Sequence, residues 1–199
     1  NAIPVTAIKV GPNFVIDVKN YDRDKYSAVK LGFESKKQQR VNKPQAGIFK
    51  KAEVGAFKHV KEIRCDVETL GWNEIGKEIK MTDVFAENDF IDVTGVTIGR
   101  GFAGVVKKFR VKGQPSTRGT HENRRHIGSI GMCKTPGRVL KNTKMPGHLG
   151  NAKRTVQNLK VVAFNVDENV LFVKGCVPGP KEGLLIVKKA IKKILKKAA

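Results

Sequence analysis

The sequence predicts a mainly β protein: a β-barrel body with short helical elements, carrying a long, basic, glycine-rich extension. Three observations predict it. Short runs of β-branched and aromatic residues recur between turn signals. Apolar residues make up 40 % of the 199, enough for a lean core. One internal stretch departs from this pattern in both charge and glycine content.

The elements follow in order. Pro4 to Val10 is a strand, Gly11-Pro12-Asn13 is a turn signal, and Phe14 to Val18 is the return strand. Tyr26 to Phe33 alternates through Ala28, Val29, Leu31 and Phe33. Pro44 to Ala52 lacks alternation and predicts a short helix, with Asn42 available as its cap. Phe57 to Val67 alternates imperfectly through Phe57, Val60, Ile63 and Cys65. Phe90 to Ile98 is the strand that leads into the unusual stretch. Beyond it, Val156 to Val166 and Asn169 to Lys174 are β-branched runs that Asp167-Glu168 joins into a hairpin. Leu184 to Val187 is a last strand. Many short strands separated by turns point to a closed barrel. The tail from Lys188 holds six lysines, with Ile191, Ile194 and Leu195 at helical spacing; a solvated helix face and an RNA contact both account for it.

Charge narrows the function. Lys and Arg total 39 against 18 Asp and Glu, a formal net charge of +21. A charge that large repels itself in the compact state, so a polyanionic partner explains it better than a merely solvated surface. Nucleic acid and an anionic membrane are the two classes. No stretch approaches the ~20 apolar residues of a spanning helix. The chain opens without Met, and Asn1 to Val10 lacks the charged, apolar, small order of a signal peptide. Cys65, Cys133 and Cys176 lie far apart, which fits free thiols in a reducing compartment. With no C-x-x-C and four scattered histidines, no metal site is expected.

The charge is concentrated. Residues 99–154 carry Arg100, Lys107, Lys108, Arg110, Lys112, Arg118, Arg124, Arg125, Lys134, Arg138, Lys141, Lys144, Lys153 and Arg154 against one acid, Glu122. That is +13 of the +21. The flanks, 1–98 and 155–199, form the body. Within the extension the apolar residues are isolated and the breaker sites Thr135-Pro136-Gly137 and Met145-Pro146-Gly147 recur. Such a stretch buries too little surface to offset the entropy of ordering it, so it is either functional or disordered. Glycine admits close backbone approach to phosphates, and arginine forks onto phosphate oxygens or stacks on bases. RNA can serve as its missing core.

Enzymatic motifs fare poorly. Gly99-Arg100-Gly101-Phe102-Ala103-Gly104 matches G-x-G-x-x-G, but a dinucleotide fingerprint must open a helix, and Val105 to Phe109 reads as basic strand. His121, His126 and His148 lie in the extension with Glu122 as its one carboxylate, too little for a hydrolytic site; stacking on bases or bonding to phosphate suits these rings better. Cys133 is a small filler in a glycine-rich run. No catalytic residue and no cofactor are expected. A nucleic-acid-processing enzyme would need convergent acids, and a free-standing chaperone or chromatin-like binder is the other rival.

Four blocks resemble the bacterial and organellar branch of the L-three family of large-subunit ribosomal proteins. They are Gly99 to Lys107, Gly128-Ser129-Ile130-Gly131, Thr135-Pro136-Gly137-Arg138-Val139, and Lys144-Met145-Pro146-Gly147 with Gly150-Asn151. Weaker matches run from Ile3-Pro4-Val5-Thr6 through Lys43-Pro44 to Val173-Lys174-Gly175-Cys176-Val177-Pro178-Gly179, in family order over nearly the whole chain. The resemblance implies a β-barrel body and an extension threading into ribosomal RNA toward the peptidyl-transferase centre. It implies early binding during assembly, RNA held near the subunit's 3′ end, and neighbouring large-subunit proteins as partners. It implies no membrane and no small-molecule substrate. The place is the cytoplasmic ribosome of a bacterium, or an organellar ribosome. The extension's tip is Gly128, Ser129, Ile130, Gly131, Met132, Cys133, Thr135, Pro136 and Gly137. The family's opening strand with its K-x-G-M-T element is absent, so about one strand is expected ahead of Asn1. Thr117-Arg118-Gly119 and Asn123-Arg124-Arg125 stand where many members have T-H-G and S-H-R. The methylated glutamine of some members does not carry over to the neighbourhood of Met132 and Lys134.

Overall fold

Val15 and Ile16 are adjacent, and both are buried. Side chains alternate across a strand, so a strand buried at consecutive positions is covered on both faces. That strand is β2 (Asn13–Lys19), which lies in a four-stranded sheet with β3 (Ala28–Ser35), β4 (Phe57–Arg64) and β5 (Glu78–Ile79), ordered β4-β3-β2-β5. The structure, a computed structural model, describes residues 2–65, 71–72 and 74–193.

These elements belong to the first of two compact units, which holds the chain up to Ile91, Asn158–Cys176 and the residues from Lys189. On one face of its four-stranded sheet Val15 packs with Val29 and Ile79. On the other, Ile16 packs with Phe57 and with Phe49 and Ala52. Phe49 comes from the helix α2 (Lys43–Lys51), which follows a single turn, α1 (Tyr21–Asp24). Asn42 occupies the N-cap position of α2 as its sequence predicts, though its side chain makes no capping bond. The Phe57 ring stacks on Phe14 at 5.4 Å and meets Phe49 edge-on at 5.9 Å. Gly32 makes room for it: a Cβ there would overlap the Phe57 ring and lie 2.9 Å from Ile16 Cδ1.

The same unit holds the predicted hairpin from Asn158 onward. β9 (Lys153–Asn165) and β10 (Val170–Lys174) pair antiparallel from Asn165↔Val170, closed by the Asn169 N–H donating to the Val166 carbonyl at 3.3 Å. The loop is therefore Val166 to Asn169, wider than Asp167-Glu168 alone. β1 (Val5–Lys9) adds to β10, with Ile8 opposite the fully buried Leu171. A short helix α3 (Met81–Val84) precedes β6 (Phe90–Val96), which ends two residues earlier than expected.

The second unit is Asp92–Gln157 with Val177–Lys188. Its strands include the greater part of β6, the short pair β7 (Phe102–Ala103) and β8 (Gly147–His148), and β11 (Leu185–Lys189), of which Lys189 falls outside the unit. Gly95 lies against Leu185 and the Pro178 carbonyl, where a Cβ would come within 2.7 Å of Leu185 Cδ2.

The expected closed barrel is not what the strands form. The larger sheet is ordered β1-β10-β9-β6-β11 and the smaller β4-β3-β2-β5; neither order returns on itself. Strand spacing reveals many short antiparallel strands but not their partners. Closure also needs long edges to pair, and β5 offers only two residues. The other outer strand, β4, carries Lys58, Lys61, Glu62 and Arg64, charges that discourage a further partner. Ile194 and Leu195 of the predicted tail helix lie outside the described residues.

Candidate nucleic-acid interface

Residues 99–154 lie within the second unit, and their two ends are joined antiparallel. The Thr97 N–H and hydroxyl donate to the Ala152 carbonyl at 3.0 and 3.1 Å, and the Asn151 N–H donates back to the Thr97 carbonyl at 3.1 Å. Higher up, the Arg100 N–H donates to the Leu149 carbonyl at 2.8 Å and the Leu149 N–H to the Gly101 carbonyl at 2.9 Å. β7 and β8 continue the ladder, with Phe102 opposite His148 and Ala103 opposite Gly147. Gly150 turns this junction with φ +78°; a Cβ there would strike the Ile98 carbonyl and lie 2.9 Å from Gly99 Cα.

Next comes a one-turn helix, α4 (Val105–Phe109), so the strand expected over these residues is a helix. Its anchors are Ala103 and Val105, 4 % and 2 % exposed and the two buried residues between 99 and 154. Burial of Val105 and the N-capping position of Gly104 decide the local conformation, which β-branching alone does not reveal. Arg110 ends the turn in the left-handed region at φ 56°. The Lys108 amine lies where a Cβ on Gly147 would be, 2.8 Å from it, and 5.1 Å from the Phe109 ring centre.

A second fixed point joins Gly113 and Gln114 to Arg124. The Gln114 N–H donates to the Arg124 carbonyl at 3.1 Å, and a Cβ on Gly113 would sit 2.7 Å from that oxygen. Between them runs 3-10 backbone over Arg118–Arg125, kinked at His121. Here Thr120 donates its hydroxyl to the Pro115 carbonyl at 2.7 Å. An open groove of about 720 Å³ follows, with Val105, Ile127 and Pro146 as apolar lining and Gln114, Asn123 and Arg125 as polar lining.

The expected tip, Gly128 to Gly137, is loop. Ser129 donates to the Gly131 carbonyl at 2.8 Å, and Gly128, Cys133 and Gly137 have positive φ. With Arg138 and Val139 these residues line a second hollow of about 470 Å³. Ile130, Met132, Val139 and Leu140 are 42 to 69 % exposed, so this loop has no apolar core of its own.

Thirteen of the fourteen cations in this stretch are exposed and Lys108 is half-buried. No ion pair among the described residues involves any of them; the pairs lie at Lys19 with Asp17 and Asp24, Lys58 with Glu34, and neighbouring sites of the first unit. The structure thus gathers Arg125 at the groove and Arg138 and the tip glycines at the hollow, while Lys141, Lys144, Lys153 and Arg154 line neither. Sequence reasoning missed Phe102, 81 % exposed, and the amides of Gln114 and Asn123. For Phe102 the signal was available: an aromatic between glycines in a basic run.

Among the described residues no three His, Cys, Asp or Glu side chains come together as a metal site. The G-x-G-x-x-G run does end on a helix, but one of five residues, and its strand pairs antiparallel with β8 instead of entering a parallel βαβ unit. No helix among the described residues is long and apolar enough to cross a membrane.

The family model described as "Ribosomal protein L3" matches residues 50–169. "Large ribosomal subunit protein uL3" of Anaeromyxobacter sp. (strain K) is 45 % identical over 197 residues, covering 96 % of this chain and 84 % of its own. The proteins of that name from Fusobacterium nucleatum and Cutibacterium acnes are 46 % and 44 % identical, covering 97 % and 98 % of this chain and 90 % and 86 % of theirs.

Proposed function

The chain belongs to the ribosomal protein L3 family, bacterial type, and from that premise we propose that it binds large-subunit ribosomal RNA through residues 99–154. As a family member it is a structural constituent of the large ribosomal subunit and not an enzyme. The finer reading is that residues 99–154 extend from a body of 1–98 and 155–199, bind early in assembly, and position RNA near the peptidyl-transferase centre. Its partners are ribosomal RNA and neighbouring large-subunit proteins, and its place is the ribosome of the bacterial cytoplasm, with an organellar ribosome as the alternative.

One observation carries this proposal. The cations of 99–154 are solvent-facing and unpaired among the described residues, whereas the lysines of the first unit include several already paired with carboxylates. Unpaired cations keep their full charge for phosphate, and each contact releases condensed counterions. Arg124, Arg125 and Arg138 serve as anchors, and Arg100, Lys107, Lys108, Arg110, Lys112, Arg118, Lys134, Lys141, Lys144, Lys153 and Arg154 extend the track. The tip acts by backbone approach at Gly128 and Gly131, where a Cβ meets open space or a contact no closer than 3.9 Å within the protein. The groove beside Gln114, Asn123 and Arg125 offers amides and a guanidinium of the kind that reads unstacked bases. Co-sedimentation of the chain with large subunits, and its binding to deproteinised large-subunit RNA, test the proposal. Absence from subunits together with no RNA binding would overturn it.

A further inference from the structure

Phe102 is 81 % exposed, more than any other large apolar side chain among the described residues. Its exposure is imposed by the backbone. Phe102 and His148 are directly opposed in the β7–β8 ladder, so their side chains stand on one face. Ala103 and Gly147, the next pair, stand on the other. That other face is closed: Ala103 is 4 % exposed and the Lys108 amine lies across Gly147. His148 is exposed. The Leu149 N–H bond to Gly101 and the Arg100 N–H bond to Leu149 hold the ladder directly beneath. An aromatic ring and an imidazole are thus held side by side, facing outward, with Arg100 two residues away.

We infer that Phe102 and His148 form a stacking platform for one unpaired nucleobase of the bound RNA. The inference rests on the RNA-binding proposal above and adds a contact of different chemistry. A ring this exposed leaves apolar surface in water, and a base covers it with a flat π-face. The surrounding +13 stretch brings a polyanion to it in preference to an apolar protein surface. Stacking carries no counterion release, so this contact contributes affinity without contributing to the salt slope.

The full chain is titrated with deproteinised large-subunit RNA over a range of salt, alongside Phe102→Ala, Phe102→Leu and Phe102→Tyr. Phe102 is not part of the core, so all three variants should keep the native thermal unfolding. Phe102→Ala and Phe102→Leu should each lose about ten- to a hundredfold in affinity at every salt concentration, with the slope of log K against log salt unchanged. Phe102→Tyr should bind within a few-fold of the native chain. If the native chain binds with a steep slope and Phe102→Ala binds equally well, the platform is wrong while the RNA-binding proposal stands; that result is also the one expected if Phe102 faces a neighbouring protein. Leucine restoring full affinity would equally overturn it, since an apolar contact would then suffice. If the native chain fails to bind RNA, both fall together.

Discussion

Gly150 lies against the carbonyl of Ile98, where the two ends of residues 99–154 meet. Its φ of +78° is one that side chains rarely adopt, and a methyl group would collide with that carbonyl and crowd Gly99 and the Arg100 N–H. Gly150→Ala should therefore cost both backbone strain and the Arg100–Leu149 ladder, about 2 to 4 kcal/mol in all. Hydrogen exchange would locate the effect: the amides of Arg100 and Leu149 should exchange much faster in the variant. Unchanged rates there would show that this junction tolerates a side chain.

A second glycine tests the body. Gly32→Ala drives a methyl group into the Phe57 ring and toward Ile16, in a cluster already holding Phe49 and Ala52. The ring is packed against Phe14 and Phe49 and has little room to move. Overpacking of this kind costs about 1 to 3 kcal/mol. Denaturant unfolding should show the midpoint falling with little change in slope. Equal or greater stability would mean the Phe57 pocket is loosely filled.

Hydrogen exchange on the free chain separates the two chemistries of the sequence. Val161, Leu171 and Val173 are fully buried on paired strands and should exchange slowly. The segment from Ile130 to Leu140 is exposed, and the one side-chain bond spanning its start is Ser129 to Gly131. Its amides should exchange at nearly the rate of unstructured chain. Arg100 and Leu149, bonded to each other's strand, should fall between. Uniform protection across both regions would give residues 99–154 a core that their sequence does not supply.

The strand-rich flanks were legible because alternation and turn residues report burial directly: β1, β4, β6 and β10 lie within the predicted runs, and β2, β3 and β9 overlap theirs but reach one to three residues beyond them. Beyond the β9–β10 hairpin the partners of those strands were not legible: β1 pairs with β10, and the expected return strand β2 pairs with β3 and β5 instead. Hence open sheets of five and four strands, with the separate β7–β8 pair, where a barrel was expected. Val105 to Phe109 misled for a related reason. Two valines and a phenylalanine suit a strand, but Gly104 ahead of them and burial of Val105 alone favour one helical turn. The cations were legible as a cluster. That all but Lys108 are exposed, that none has an ion pair among the described residues, and that Phe102 stands beside His148, required the fold.

The tip should separate folding from function. A Cβ on Gly131 meets nothing nearer than the Arg138 carbonyl at 3.9 Å, and its backbone is not in the left-handed region. Gly131→Val should therefore leave the chain folded and incorporated. Because the proposed tip approaches RNA at this residue, peptidyl transfer by the assembled subunit should fall, or drug binding there should change. Loss of the variant from subunits, with its isolated fold intact, would make Gly131 an anchoring residue instead of a positioning one.

The central claim is that residues 99–154 bind RNA mainly through phosphates, and the salt dependence of binding tests it most directly. The native chain and an Arg124→Ala, Arg125→Ala, Arg138→Ala triple variant would be titrated with deproteinised large-subunit RNA. With six or more phosphate contacts, native affinity should fall on the order of a thousandfold between about 50 and about 200 mM salt. Removing three contacts should weaken binding at low salt and reduce the slope of log K against log salt by about two to three. A flat native response, or a triple variant with the native slope, would contradict the account.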